Sequence, residues 1–278
     1  MVTKPPVTYA GGKTAIAPRI AALLPAHEHY IEPFAGSLAV LLAKPRSDME
    51  TISDLDGEIV NFWRVLRDRP DDLARACALT PHSRGEYQAS YAALPLSDLE
   101  RARLLWVRLT QGRGGNLGKR TGWRYCSDAR GRHASMPDYL AAYVARICPA
   151  AERLTGVSLE HRPALDLIAD YGQHPNNLIY ADPPYPRSAR SWDRGPAYAR
   201  EMRADADHEA LAAALRSARA AVVLSAYPGQ LYDRLYAGWE RIEITVTAGN
   251  ATTRTRTEVI WANRPLPHQP SLFTEAAP

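Results

Sequence analysis

The stretch Asp182-Pro183-Pro184-Tyr185 carries the plainest chemistry in the chain. It follows a short apolar run, Leu178 to Ala181, that reads as a buried strand. Two consecutive prolines supply no ladder N–H, so the strand ends there. Open α/β sheets place their ligands beyond the carboxyl ends of such strands. The Asp182 carboxylate and the Pro183 carbonyl offer two acceptors, and Tyr185 offers a flat ring. That set suits a planar group bearing an exocyclic NH2: both N–H bonds are accepted, the nitrogen lone pair is aimed, and the ring stacks on Tyr185. The alternative is a simple turn out of a strand, with Tyr185 as packing.

Other elements must bring a second reactant to that turn. Tyr9-Ala10-Gly11-Gly12-Lys13-Thr14 precedes an amphipathic helix, roughly Thr14 to Leu24, with Ile16, Ile20, Leu23 and Leu24 at helical spacing. Gly11 and Gly12 let the backbone approach a ligand, and the helix start together with Lys13 favours an anion such as a carboxylate. A phosphate-binding loop needs a further glycine where Val7 stands. Tyr30-Ile31-Glu32-Pro33-Phe34-Ala35-Gly36 reads as a strand, a glycine turn and a helix through Leu38, Val40, Leu41 and Leu42, a nucleotide-type arrangement. The next strand, Glu50 to Ser53, ends at Asp54 and Asp56. An acid about 20 residues past the glycine turn is placed for ribose hydroxyls. Asp54 is the better placed; Asp56 suits a cap for the helix starting near Gly57.

Asp-Pro-Pro-Tyr resembles the catalytic motif of amino-group DNA methyltransferases. Ala-Gly-Gly-Lys, Glu-Pro-Phe-Ala-Gly, Ser-Asp-Leu-Asp and Asp-Pro-Pro-Tyr occur here in that order. Together they resemble the Dam-type (D12 class) N6-adenine DNA methyltransferases. The resemblance implies a Rossmann-like sheet with an antiparallel C-terminal hairpin and an inserted helical DNA-recognition domain. It also implies S-adenosylmethionine as cofactor, with no metal. Tyr9, Gly12, Lys13, Glu32, Phe34, Gly36, Asp54, Asp166 and Asp182 then fall at cofactor positions, and Asp182, Pro183, Pro184 and Tyr185 at catalytic ones. For Asp166, a helix-start acid answering the macrodipole is an equal reading. The chain departs from the pattern at Leu38, where the family often has a second glycine, and at Tyr9, where it usually has Trp.

Asn61 to Arg67, Asp71 to Thr80, Ser97 to Thr110 and Pro137 to Cys148 read as helices. From Arg108 to Arg132 there are seven Lys/Arg against one Asp. Glycines interleaved with Arg113, Lys119, Arg120 and Arg124 make a loop that can follow phosphates, and Trp123 and Tyr125 can wedge or stack where a base is extruded. Arg187 and Arg190, just past the catalytic turn, can grip phosphates. Arg254 and Arg256 do the same at the tip of a hairpin whose strands run over Arg241 to Thr247 and Glu258 to Asn263. Val157 to Glu160 and Ala221 to Ser225 read as strands, and Ala164 to Tyr171, His208 to Arg219 and Pro228 to Tyr236 as helices.

The boundaries expected are 1–68 and 151–264 for the catalytic domain, 69–150 for the helical target-recognition insert, and 265–278 for a tail. The 278 residues are 46% hydrophobic with a net charge of +4, a globular composition that tolerates a polyanionic partner. No apolar run has the length of a membrane span, and the first residues lack the apolar core of a signal peptide, so the expected location is cytoplasmic. Cys77, Cys126 and Cys148 form no CxxC and read as reduced thiols. His27 and His29 read as surface residues. Double-stranded DNA is the expected partner, with or without a cognate restriction endonuclease. RNA or cytosine-N4 methylation, and a non-catalytic DNA-binding module, are the alternatives.

Overall fold

The structure is a computed structural model and describes residues 2–92, 96–126, 135–186, 198, 202–247 and 255–267. Within them one sheet contains β1 (His29–Glu32), β2 (Met49–Ser53), β3 (Ser158–Glu160), β4 (Asn177–Ala181), β5 (Ala221–Ala226), β6 (Glu240–Thr247) and β7 (Thr255–Ala262). The strands lie in the order β3-β2-β1-β4-β5-β7-β6. β1 to β5 run parallel, and β7 enters antiparallel between β5 and β6. Chain order reverses between β1 and β4, and the crevice at such a switch point is where a doubly wound sheet takes a ligand. The Rossmann-like class and the C-terminal hairpin are thus as the sequence pattern led us to expect.

The helices are α1 (Ala17–Leu23), α2 (Ala39–Ala43), α3 (Gly57–Asp68), α4 (Pro70–Ala78), α5 (Arg84–Ala89), α6 (Asp98–Gln111), α7 (Met136–Val144), α8 (Ile147–Leu154), α9 (Ala164–Tyr171), α10 (Asp205–Ser217) and α11 (Gln230–Leu235). Side chains alternate across a strand, and β4 divides them cleanly. Leu178 and Tyr180 join the core formed by α1 to α8, while Ile179 and Ala181 join the one formed by α9 to α11. Helices α4 to α8 have no separate core: Leu73, Tyr87, Leu105 and Leu140 share a cluster with Phe62 of α3 and Tyr30 of β1. Among the described residues no helix is long and apolar enough to cross a membrane.

Four local expectations need correction. α1 begins at Ala17 rather than Thr14, with a proline in its first turn, where the missing N–H costs nothing. The segment Pro137 to Cys148 is two helices, broken at Ala145 and Arg146. Helix α5 was not anticipated; its amphipathic signal is only six residues long, but Ser83 caps it by accepting from the Glu86 N–H. His29 is buried against Thr51 Oγ1 at 2.8 Å, and His27 is half-buried against Ser47 Oγ at 2.8 Å. Both imidazoles bond to side chains on β2 or in the loop before it.

Leu38, standing where the resembling family has a glycine, sits in the left-handed region at φ 53°. That conformation costs a non-glycine residue roughly 1–2 kcal/mol. The side chain is fully buried, and burying a leucine recovers a comparable ~1.5–3 kcal/mol.

Candidate active site at the carboxyl edge of the sheet

The carboxyl ends of β1, β2 and β4, the turn into α9, and α10 enclose a cleft of about 410 Å³. Tyr9, Phe34, Gly36, Asp54, Asp182 and Pro184 line it, so six of the residues singled out in the sequence meet there. Leu55, Pro163, Leu165, Met202 and Leu211 make its apolar walls. The loop after β1 is held from both sides: Ala35 N–H donates to Ser53 O at 2.9 Å, and Trp63 Nε1 of α3 donates to Gly36 O at 2.9 Å. Asp54 accepts from the N–H of Gly36 and of Asp56, each at 2.9 Å. Burial nevertheless dominates and lifts the Asp54 carboxyl to about 6. Asp56 caps α3 through the Glu58 N–H. Asp166 is exposed on α9, and the cleft wall there is Pro163, Ala164 and Leu165 instead; its helix-start role is the one the geometry favours.

A smaller space beside the cleft, lined by Gly11, Gly12, Lys13, Glu32 and Asp182, adjoins the Asp182–Tyr185 turn. The anion site expected at the start of α1 is not formed. Gly12 N–H closes a tight turn onto Tyr9 O at 2.9 Å, and α1 starts only at Ala17. The Lys13 ammonium points instead into the sheet edge. It donates to Gly11 O at 2.7 Å, to Asp182 Oδ1 at 2.8 Å and to the Tyr185 hydroxyl, using its three N–H bonds. Burial pulls this ammonium down, but the Asp182 and Glu258 carboxylates outweigh it and hold Lys13 well above the ordinary lysine range.

Tyr185 is placed differently from the expectation. It is 2% exposed, its ring 4.4 Å from that of Tyr227 and 4.8 Å from the Lys13 ammonium. The face expected to be open for stacking is therefore covered in this structure. The cause is polar: a buried phenol needs a partner, and this one donates to Glu258 Oε1 at 2.9 Å, with Asp182 Oδ1 at 3.2 Å. Glu258 was read only as the start of a strand. Because β7 is antiparallel, its amino end lies at the carboxyl ends of β4 and β5, which brings Glu258 to the site. A signal existed: Glu258 shares a face with the buried Ile260 and Ala262.

Glu32 is buried, and its Oε2 accepts from the Tyr30 hydroxyl at 2.7 Å. Burial, with Asp182 nearby, pushes its carboxyl up to about 8. A carboxyl raised on folding favours the fold at low pH; that contribution is complete below the unfolded value near 4.5 and is lost as pH rises through about 8. Glu32→Gln is therefore expected to remove a stability decline of the order of a few kcal/mol between pH 5 and pH 8. Urea unfolding at those two pH values checks it: a slope equal to that of the wild type would contradict it.

The basic segment is a short closed loop. Gly112 and Trp123 form an antiparallel bridge, Arg113 N–H donates to Gly122 O and Arg124 N–H to Gln111 O. The buried Gln111 organises it, accepting from Trp123 Nε1 and Ser83 N–H and donating to Pro81 O. Arg113 and Arg120 are exposed, and Lys119 and Arg124 half-buried. Trp123 does not project as a wedge. It stacks on His82 at 4.3 Å and 19°, with the Arg84 guanidinium 4.9 Å from its ring centroid. The outward aromatic is Tyr125, half exposed and flanked by the Arg84 and Arg113 guanidiniums at 5.6 and 5.8 Å. The loop is tied to the segment that lines the cleft: Ala10 N–H donates to Gly115 O at 2.9 Å. Arg187, Arg190 and Arg254 lie outside the described residues, as does the side chain of Arg256.

Residues 9–103 match the family model of the D12 class N6 adenine-specific DNA methyltransferases. The chain is also similar to the Type II methyltransferase M1.LlaDCHI of Lactococcus lactis subsp. cremoris, with 32% identity over 96 residues, which are 34% of this chain and 33% of that protein. The chain thus spans about a third of the length of this curated relative. Among solved structures, a precorrin 8W decarboxylase from Methanobacterium thermoautotrophicum aligns over 94% of this chain and 98% of its own, with 8% identity and a TM-score of 0.42.

Proposed function

We propose that this chain, matched to the D12 class over its first third, transfers a methyl group from S-adenosylmethionine to N6 of an adenine extruded from double-stranded DNA. One observation carries the reading. Asp182 lies outside the matched residues, yet it is 2.8 Å from Lys13 inside them and lines the same cleft as Asp54. The glycine loop, the ribose-type acid and the amine-acceptor turn are one site.

The donor set fits the cofactor. Leu55, Pro163, Leu165 and Leu211 suit a purine ring, and Asp54 suits a ribose diol. S-adenosylmethionine, when bound, supplies an electrophilic methyl group. Everything else falls to the chain. An adenine amine paired in a duplex cannot be approached in line, so the base must leave the stack. Asp182 and the Pro183 carbonyl take its two N–H bonds and aim the nitrogen lone pair, so most of the rate comes from orientation. Asp182 is also the carboxylate nearest the proton that the alkylated nitrogen must release. The ring of Tyr185 has to be uncovered before the base is seated, and Lys13, which holds Asp182 Oδ1, has to leave an acceptor of that carboxylate to the amine. Arg113, Lys119, Arg120 and Arg124 supply phosphate contacts, and Tyr125 a stacking surface. The Type II name of the relative supports a place beside a restriction endonuclease.

The test is transfer from labelled S-adenosylmethionine to duplex DNA, followed by nucleoside mass spectrometry. N6-methyladenine is expected; N4-methylcytosine, or label confined to RNA, would replace the reading. Methylome sequencing of a host expressing the chain then gives the target sequence. Asp54→Ala is expected to weaken S-adenosylmethionine binding about ten- to a hundredfold, the range for a hydrogen bond to a charged group. If the Asp54 carboxylate is the binding form, wild-type affinity falls as pH drops below about 6, and Asp54→Asn flattens that fall. Calorimetric titration at pH 5 and pH 7.5 measures both.

A further inference from the structure

Three charged groups meet at the Asp182–Tyr185 turn, and only one of them, Asp182, is accounted for by amine recognition. The Lys13 ammonium faces two carboxylates, Asp182 Oδ1 at 2.8 Å and Glu258 Oε1 at 3.5 Å. Glu258 is 6% exposed, and a carboxylate is rarely buried to that degree unless something uses its charge. Its immediate partners are the Tyr185 hydroxyl and Lys13. Burial raises the Glu258 carboxyl and the nearby Lys13 ammonium opposes that; with both carboxylates ionised the cluster carries one negative charge more than the ammonium neutralises.

That surplus has a use once the substrate amine arrives. In this structure Lys13 Nζ holds Asp182 Oδ1, one of the two oxygens of the carboxylate at which the amine is to be seated. A buried ammonium such as Lys13 does not give up its counter-ion unless another anion takes its place, because an unpaired buried charge is strongly unfavourable. Glu258 is that anion, and a movement of less than about 1 Å brings Nζ to full charge-assisted hydrogen-bond distance. The same oxygen already holds the phenol of Tyr185.

We propose that Glu258 is a positioning residue for methyl transfer: it tethers Tyr185 and receives the Lys13 ammonium when the substrate amine claims Asp182. The proposal rests on the methyltransferase reading and deepens it by naming a group on the C-terminal hairpin that prepares the amine site without touching the reacting atoms.

Glu258→Gln keeps the shape and an acceptor for Tyr185 but loses the charge. The single-turnover rate of transfer to duplex DNA is expected to fall about ten- to a hundredfold, the span of coupling seen within one polar network. Equilibrium binding of S-adenosylmethionine is expected to stay within about twofold, since Glu258 does not line the cofactor cleft. Glu258→Asp restores the charge and is expected to recover part of the rate, which also decides the matter if the glutamine variant unfolds. Added to Lys13→Met, Glu258→Gln is expected to cost less than about threefold more, because its role passes through Lys13. A glutamine variant as fast as the wild type, an aspartate variant no better than glutamine, or penalties that multiply in the double variant would each overturn the proposal. A wild-type protein that transfers no methyl group overturns the broader reading instead, so the two failures are distinguishable.

Discussion

Asp182→Ala is expected to lower the methyl-transfer rate about a thousandfold while leaving the protein folded. The rate loss follows from geometry. The side chain supplies one of two acceptors that fix the amine, and removing a single aimed group from a dry catalytic site typically costs about 10²–10³ in rate. Here the same change also withdraws the principal counter-ion of a buried ammonium, 2.8 Å away. The fold should survive because Glu258 still faces Lys13 at 3.5 Å and accepts from Tyr185. Asp182→Asn keeps the volume but turns an NH2 group toward a site that needs only acceptors, so it is expected to fall nearly as far. Single-turnover kinetics with labelled donor, read beside a thermal melt, gives the answer. An alanine variant within threefold of the wild type would remove Asp182 from the chemistry.

Gly115→Ala should disable the protein from the other side. Gly115 has φ +60°, and a Cβ there would lie 2.8 Å from Tyr9 N and 2.9 Å from Thr8 C. Its neighbour is a natural control: Gly114 has φ +78° with nothing within 4 Å of a built Cβ. Both alanines pay the left-handed backbone cost of about 1–2 kcal/mol. Only Gly115→Ala adds a backbone clash, and overpacking of that kind costs about 1–3 kcal/mol more. The clash pushes the basic loop away from Tyr9, which lines the 410 Å³ cleft proposed to hold the cofactor. DNA affinity and cofactor affinity are therefore expected to fall together, by about tenfold or more each, while Gly114→Ala changes neither by more than about threefold. Equal behaviour of the two variants would show that the docking of loop on strap does not matter.

The strands and the acids at their ends were legible because each is a local signal. An apolar run stopped by Asp-Pro-Pro, or by Asp-Leu-Asp, says where a strand ends and what stands there. The glycine loop and Asp54 could be paired by spacing alone. What escaped depends on which strand turns back. Glu258 reaches Tyr185 across 73 residues, which no spacing rule covers. The meeting of Lys13 with Asp182 across 169 residues is what the family resemblance implied, though not as a direct ion pair. The covering of Tyr185 was hidden for the same reason, since its phenol answers to a carboxylate on another strand. Trp123 looked like a wedge beside arginines, but its partner His82 lies outside that loop. The half-buried imidazole of His27 and the buried one of His29 were missed because their hydrogen-bond partners, Ser47 and Thr51, sit on the adjacent strand and the loop before it.

The N-terminal strap runs beneath the helical layer. Pro6 O accepts from Trp106 Nε1 at 3.1 Å, Pro5 O from Arg146 at 3.2 Å, and Leu109 O from the Thr8 hydroxyl. Anyone wishing to graft another reading head onto this chemistry should therefore move residues 5–10 together with the helices. A transplant that left the strap behind would part a zip fastener along its length, and Lys13, a few residues downstream, would lose its alignment with Asp182.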